Sequence, residues 1–248
     1  MDDVERVKKR RNWSLYVEYF FGGGERYKSR YRAVEVLSVA AFLYLAWLMA
    51  EEVLLGLQRR PLMLLLVPPI ALGAHLGSDF FSGLVHWAAD TYGTAKTPFV
   101  GPKFVAPFRE HHRDPLAITR HDFIEANGDN SLCALSMMII IHLMASGVDS
   151  GWATATLLYA VLLGCSVLLT SLAHGWAHMD EPPRVVRFFQ RTGFLLTKEH
   201  HAEHHIPPYD RHYCITTGWL NALLDRTKFF RKAEAVLLRL GIRRGNDA

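Results

Sequence analysis

The sequence predicts an all-α integral membrane protein: four transmembrane helices under a cytoplasmic helical cap that holds a histidine-rich dimetal site. Three observations point there. Half of the 248 residues are hydrophobic, and they fall in long runs with the charge confined to the segments between them. Lysine and arginine gather at alternating ends of those runs. Thirteen histidines are present, and those other than His75 and His142 lie at or beyond the ends of two runs.

The composition excludes a disordered chain and a collagen-like repeat. Three cysteines, with Cys133 and Cys165 in apolar runs and Cys214 in a polar stretch, give no disulfide framework. The net charge of +4 does not indicate nucleic acid, because the basic residues sit where membrane topology places them. The first thirty residues are polar and basic, so no cleavable signal peptide is expected.

A membrane-spanning helix needs about 20 apolar residues. The first expected span covers about residues 33–50, with Glu35 near its start. The second, about 61–87, contains Pro68-Pro69, which should kink it. The third has a short apolar stretch and must borrow Gly128 to Asn130, giving about 128–146, or sit where the bilayer thins. The fourth covers about 152–174. This divides the chain into a basic N-terminal arm (1–32), a membrane domain (33–225) and a basic amphipathic tail (226–248). In the tail, Phe229, Phe230, Ala233, Val236, Leu237 and Leu240 form one stripe. That stripe fits a helix on the leaflet surface or one packed against the metal domain.

The arm to residue 32 holds nine Lys and Arg, the segment 88–130 five, and the chain after His174 twelve. The first loop between spans has only Arg59 and Arg60, and the second, 146–151, has none. Positive charge stays inside, so both termini, the middle segment and the histidines are expected on the cytoplasmic side.

The spacing of those histidines carries chemistry. His86-x3-Asp90 and His174-x3-His178 set two ligand types one helical turn apart on one face. His201-x2-His204-His205 converges on one face as well, with His200 beside it, and Glu110-His111-His112 supplies a further pair. So many imidazoles exceed what one metal holds, and two ions are the economical reading. The expected ligands are His86, Asp90, His111, His112, His174, His178, His200, His201, His204 and His205. His121, Asp79, Asp122, Glu110, Glu199 and Glu203 are read as further ligands or as groups that orient the imidazoles through their other N–H. His75, Asp79, Ser82, His86 and Asp90 form a polar stripe on the second span, which should face the bundle interior and a substrate cavity. Arg109, Arg113 and Arg120 are candidates to meet a lipid phosphate, with ordinary interfacial snorkelling as the other reading.

Several stretches together resemble a known family. These are Ser82-Gly83-Leu84-Val85-His86-Trp87-Ala88-Ala89-Asp90-Thr91, Pro107-Phe108-Arg109-Glu110-His111-His112, and the run from Ile118 through His121, Asp122 and Glu125 to Asn130. His200-His201-x2-His204-His205 and Cys214-Ile215-Thr216-Thr217-Gly218-Trp219-Leu220-Asn221 complete the set. The pattern is similar to the Kua-type lipid desaturases, most of all to the plasmanylethanolamine desaturase branch. The resemblance implies a membrane enzyme with two iron ions that uses O2 and two electrons to turn the alkyl ether chain of a plasmanyl phospholipid into a vinyl ether. It implies a membrane phospholipid substrate and an external electron donor, cytochrome b5-like or ferredoxin-like. The first box reads His86-x3-Asp90 where general membrane desaturases carry two histidines, which leaves the role of Asp90 open.

Three other functions fit part of the pattern. An acyl-lipid desaturase of the phosphatidylglycerol type, or a lipid hydroxylase, could use the same boxes. His200-x2-Glu203-His204 matches the short motif of inverted zinc hydrolases but ignores the remaining histidines. A metal transporter or sensor would place its site nearer the membrane midplane.

Overall fold

The computed structural model describes residues 29–98 and 100–245. The expected basic arm therefore lies almost wholly outside the described residues. Four helices are long and apolar enough to cross a membrane: Arg32–Arg59, Pro61–Thr91, Phe123–Ala145 and Gly151–Ala177. We number the helices α1 (Ser29–Arg59), α2 (Val67–Thr91), α3 (Ala106–Arg113), α4 (Phe123–Ala145), α5 (Gly151–Ala177), α6 (Arg184–Arg191), α7 (Lys198–Ala202), α8 (Asn221–Arg226) and α9 (Phe229–Arg239).

Three helix boundaries differ from the sequence reading. The first helix continues beyond residue 50 to Arg59. Glu52 does not end it, because its carboxylate accepts from Ser146 Oγ at 2.7 Å and from the Gly147 N–H at 3.2 Å. The prolines of the second run do not kink an α-helix. Residues Pro61–Leu66 form a 3₁₀ turn and α2 begins at Val67, so Pro68 and Pro69 sit in its first turn, where a missing N–H breaks no bond. The third transmembrane helix starts five residues early, at Phe123 rather than 128. Asp122 caps it by accepting from the Glu125 N–H at 2.9 Å, which lengthens it to 23 residues.

Helix α5 is the hub, packing against α1, α2 and α4. Phe42 and Met49 from α1, Met138 from α4 and Leu157 and Ala160 from α5 form the bundle core. In lipid this association is driven by close packing rather than by release of water, so small residues matter. A Cβ on Gly164 would lie 2.9 Å from both Phe42 and Met138, so only glycine lets the helices approach this closely. Outward-facing Leu43, Trp47, Leu62, Leu65 and Leu143 remain exposed, as side chains facing acyl chains would be.

The short helices gather at the end of the bundle where α2 and α5 finish. Trp87 near the end of α2 packs with Tyr213, Cys214, Leu224 and Phe230. Of the two readings of the tail, packing against the domain accounts for Phe230, and Trp87 Nε1 donates to Glu234 Oε1 at 3.0 Å. Val236, Leu238 and Leu240 of the same segment stay exposed.

Candidate metal centre

Four segments bring imidazoles to one place. The last turns of α2 carry His86 and Asp90, and α3 carries His111 and His112. His174 lies in the last turn of α5 and His178 just past its end. The fourth segment starts at Thr197, whose hydroxyl caps α7 by accepting from the His200 N–H at 3.1 Å. One turn on, the chain turns His201, His204 and His205 inward.

The imidazoles form two groups. His86, His111, His112 and His204 make one, and His111, His178, His201 and His205 make the other. Within each group the potential ligand atoms all lie within 4.8 Å of one another. Asp90 Oδ2 joins the first, 3.4 Å from both His86 Nε2 and His204 Nε2 and 3.7 Å from His112 Nε2. His174 joins the second, its Nε2 2.9 Å from His201 Nε2.

These contacts are not an ordinary hydrogen-bond network. His201 Nε2 lies 2.9, 3.0 and 3.1 Å from the Nε2 atoms of His174, His178 and His205. A neutral ring nitrogen has either one proton or one lone pair, so it cannot satisfy three such neighbours. Nε2 of His86 and of His111 are buried without any hydrogen-bond partner among the described residues. The outer nitrogens explain the orientation. His86 Nδ1 meets the Tyr213 carbonyl at 3.2 Å and His204 Nδ1 meets the Arg211 carbonyl at 2.7 Å. A carbonyl only accepts, so the proton sits on Nδ1 and the Nε2 lone pair points inward. Two cations accepting these lone pairs fit the arrangement better than any pattern of protons.

Electrostatics agree. Burial, reinforced by neighbouring imidazoles, holds His111 and His201 well below the usual histidine range. The same causes lower His112 to about 3, His178 to about 4 and His205 to about 3. All five are therefore neutral near pH 7, the form that binds metal.

The other expected site residues lie elsewhere. His200, next to His201 on a short helix, points away from both groups: its Nε2 is 3.0 Å from Asn221 Nδ2, and its ring stacks on His212 at 4.8 Å. The short zinc-hydrolase motif is accordingly not assembled, since Glu203 pairs with Arg211 at 3.0 Å while His204 faces the first group. Glu199 is exposed. Asp79 is a backbone clamp. Its carboxylate accepts from the N–H groups of Thr216, Thr217, Gly218 and Leu220 at 2.8 to 3.2 Å. Asp122 pairs with Arg32 at 2.7 Å, and His121 Nδ1 lies 3.2 Å from Glu125. Glu110 is exposed at the edge of the cavity described next. Arg109 binds the carbonyls of Ala89, Tyr92 and Gly93 at the end of α2, Arg120 pairs with Asp114 at 2.6 Å, and Arg113 is exposed. His75 Nε2 meets the Phe194 carbonyl at 3.1 Å, a local role.

Sequence reasoning missed the two carbonyl partners, because every residue carries a carbonyl and spacing cannot single one out. It also missed Tyr209, whose ring stacks on His112 at 4.5 Å and 4°. Beside both groups lies a cavity of about 400 Å³, with His111 and His174 on its wall. Phe81, Val85, Phe108 and Ile118 give it an apolar lining. A cavity of this size holds the reacting part of a lipid chain rather than a whole lipid.

Residues 75–245 match the lipid desaturase domain family. The chain belongs to that family. It is thus an oxidoreductase that acts on lipid. Plasmanylethanolamine desaturase of Myxococcus xanthus is 41% identical over 228 residues, covering 85% of this chain and 73% of that protein. Plasmanylethanolamine desaturase 1 of Mus musculus is 40% identical over 179 residues, 68% of this chain and 65% of that one. Chloroplastic fatty acid desaturase 4 of Arabidopsis thaliana is 36% identical over 170 residues, 67% of this chain and half of the relative. No solved structure matches the chain.

Proposed function

We propose that this lipid desaturase is a di-iron, O2-dependent enzyme that converts the alkyl ether chain of plasmanylethanolamine into the vinyl ether of a plasmalogen. The observation that carries the reading is the pair of imidazole groups opening onto one largely apolar cavity. The two relatives named as plasmanylethanolamine desaturases support the choice of lipid. Bound iron would supply the oxidising power toward an unactivated C–H bond that side chains lack, with O2, two external electrons, two protons and the two substrate hydrogens consumed and two water molecules formed.

The chain's own part is placement. His86, Asp90, His112 and His204 would hold one ion, and His174, His178, His201 and His205 the other, with His111 between them. Carbonyls of Tyr213 and Arg211 fix two rings, so little reorientation is needed on binding. Phe81, Val85 and Phe108 keep water from the alkyl chain beside His111 and His174. The distribution of lysine and arginine supports a cytoplasmic position for the cap and both termini. Electrons would come from a cytochrome b5-like or ferredoxin-like partner.

Lipid mass spectrometry of cells with and without the gene tests the proposal. New acid-labile vinyl ethers that disappear in a His178→Ala variant support it. New acyl double bonds with unchanged ether lipids would transfer the chain to an acyl-lipid function. The likeness to the chloroplastic relative keeps that second reading in view.

A further inference from the structure

Helix α6 (RVVRFFQR) has two outer faces that neither the bundle nor the metal centre uses. Val186 turns inward against Ala173 and Leu195. Arg184, Arg187 and Arg191, at offsets of 3 and 4, share one outer face, and Val185, Phe188 and Phe189 lie beside it. Phe188 is 60% exposed and touches Phe189 at 5.4 Å; Phe194, 50% exposed, touches the exposed Trp219 at 5.7 Å. The three arginines are exposed and make no ion pair among the described residues. We propose that α6 lies in the plane of the leaflet on the metal side, with its phenylalanines among the acyl chains and its arginines on the phosphates of neighbouring phospholipids, and that this surface retains anionic phospholipid.

The depth of the element favours lipid as the occupant. Arg59 and Arg60 pair with Asp149 and mark the far interface. From Pro61, the 3₁₀ turn rises about 12 Å and the first dozen residues of α2 about 18 Å. A hydrocarbon core of about 30 Å is thereby crossed near residue 79. His75, whose Nε2 meets the Phe194 carbonyl at 3.1 Å, then lies about 6 Å inside the core. Counted along α5 from Gly151, the same thickness ends after about twenty residues, near residue 171. Val186 packs on Ala173, with Leu169 and Trp176 beside it, so α6 straddles the boundary. Phe194 at this depth is out of reach of a water-soluble protein, whereas acyl chains surround it.

The helix is also held rigidly. Gly193, at φ 78°, closes it: its N–H donates to the Gln190 carbonyl at 3.0 Å, and the Phe194 N–H donates to the Phe189 carbonyl at 2.9 Å. This Schellman cap uses the left-handed conformation that glycine adopts without a Cβ penalty. Gln190 Nε2 donates to the Leu196 carbonyl at 2.9 Å and ties the helix to the returning chain. A guanidinium facing acyl chains would be unpaired, so the arginine face turns to the headgroups. There a guanidinium takes two phosphate oxygens at once, and three of them without carboxylate partners favour lipids of net negative charge over zwitterionic ones. The surface is separate from the substrate cavity. Leu169 and Ala173 lie on the face of α5 opposite Thr170, Ser171 and His174, which line that cavity. The proposal therefore holds whichever lipid is oxidised.

The test uses the full chain in nanodiscs of phosphatidylcholine and phosphatidylglycerol mixed equally. Native mass spectrometry of the released chain counts the lipids that stay bound. Phosphatidylglycerol should be retained over phosphatidylcholine. Arg184→Gln, Arg187→Gln and Arg191→Gln should each lower that preference by up to about fivefold, and the triple variant should bring it near the bulk ratio. Arg187→Lys should keep most of it. In a second measurement, p-benzoylphenylalanine at position 188, irradiated in the same discs, should form adducts with acyl chains. Equal retention of both lipids by the native chain overturns the proposal. So does a triple variant that keeps the native preference, the result expected if the arginines serve a protein instead. Absence of lipid adducts at position 188 overturns it as well.

Discussion

Asp79 on α2 accepts a hydrogen bond from the Thr217 backbone N–H at 2.8 Å, across 138 positions of sequence. The same carboxylate holds the N–H groups of Thr216, Gly218 and Leu220, and all of it is buried. This clamp fixes the loop that carries Tyr213, whose carbonyl orients His86. Replacing Asp79 by alanine would leave four donors short of an acceptor in a dry site. The expected cost is about 3 kcal/mol or more. Thermal unfolding in detergent should show a clearly lowered midpoint together with loss of bound metal. An unchanged midpoint would show that the loop is held by other contacts.

The two imidazole groups should be separable by mutation. His112 belongs to the first group alone and His178 to the second alone. His112→Ala and His178→Ala should each remove roughly half of the bound metal, and His111→Ala, whose single lone pair serves one ion at a time, should remove no more than about half. Metal analysis of the purified variants measures this directly. Complete loss in each single variant would indicate a single centre.

His200 and His204 match the same short motif but face opposite ways. His204→Ala should lose metal and activity. His200→Ala should keep its metal and lose about 1 kcal/mol through the contact with Asn221. Metal loss in His200→Ala beyond what its destabilisation explains would mean that His200 turns inward.

Acid should weaken the junction of α1 and α4. Burial raises Asp122, but the hydrogen bonds from Arg32 and from the Glu125 N–H outweigh it and hold the carboxyl below the usual range. A lowered folded-state pKa adds stability that is fully present above the unfolded value of about 3.9 and is lost as pH falls through the folded value. Stability curves should therefore dip below about pH 4, and Asp122→Asn should flatten that limb while lowering the plateau. The dip surviving unchanged in Asp122→Asn would place its origin in another carboxylate.

Four apolar helices were legible because a span is written in contiguous residues. Their ends were less so. Asp122 and Pro68-Pro69 act through capping and first-turn geometry, which depend on which residue begins the helix. The gathering of histidines was legible from offsets of three and four, since those share a helix face. His200 could not be placed from the sequence, because the groups that take its ring, the Asn221 amide and the His212 imidazole, come from other segments. The roles of Asp79 and Arg109 could not be read, because their partners are backbone groups contributed by other segments.

His111 stands in both groups, yet it offers one ligand atom. One lone pair serves one cation at a time. The two proposed centres therefore cannot be equals: whichever takes His111 would gain a ligand at the other's expense. Filling them stepwise should give a biphasic titration, and the occupancy of the first ion sets the affinity left for the second.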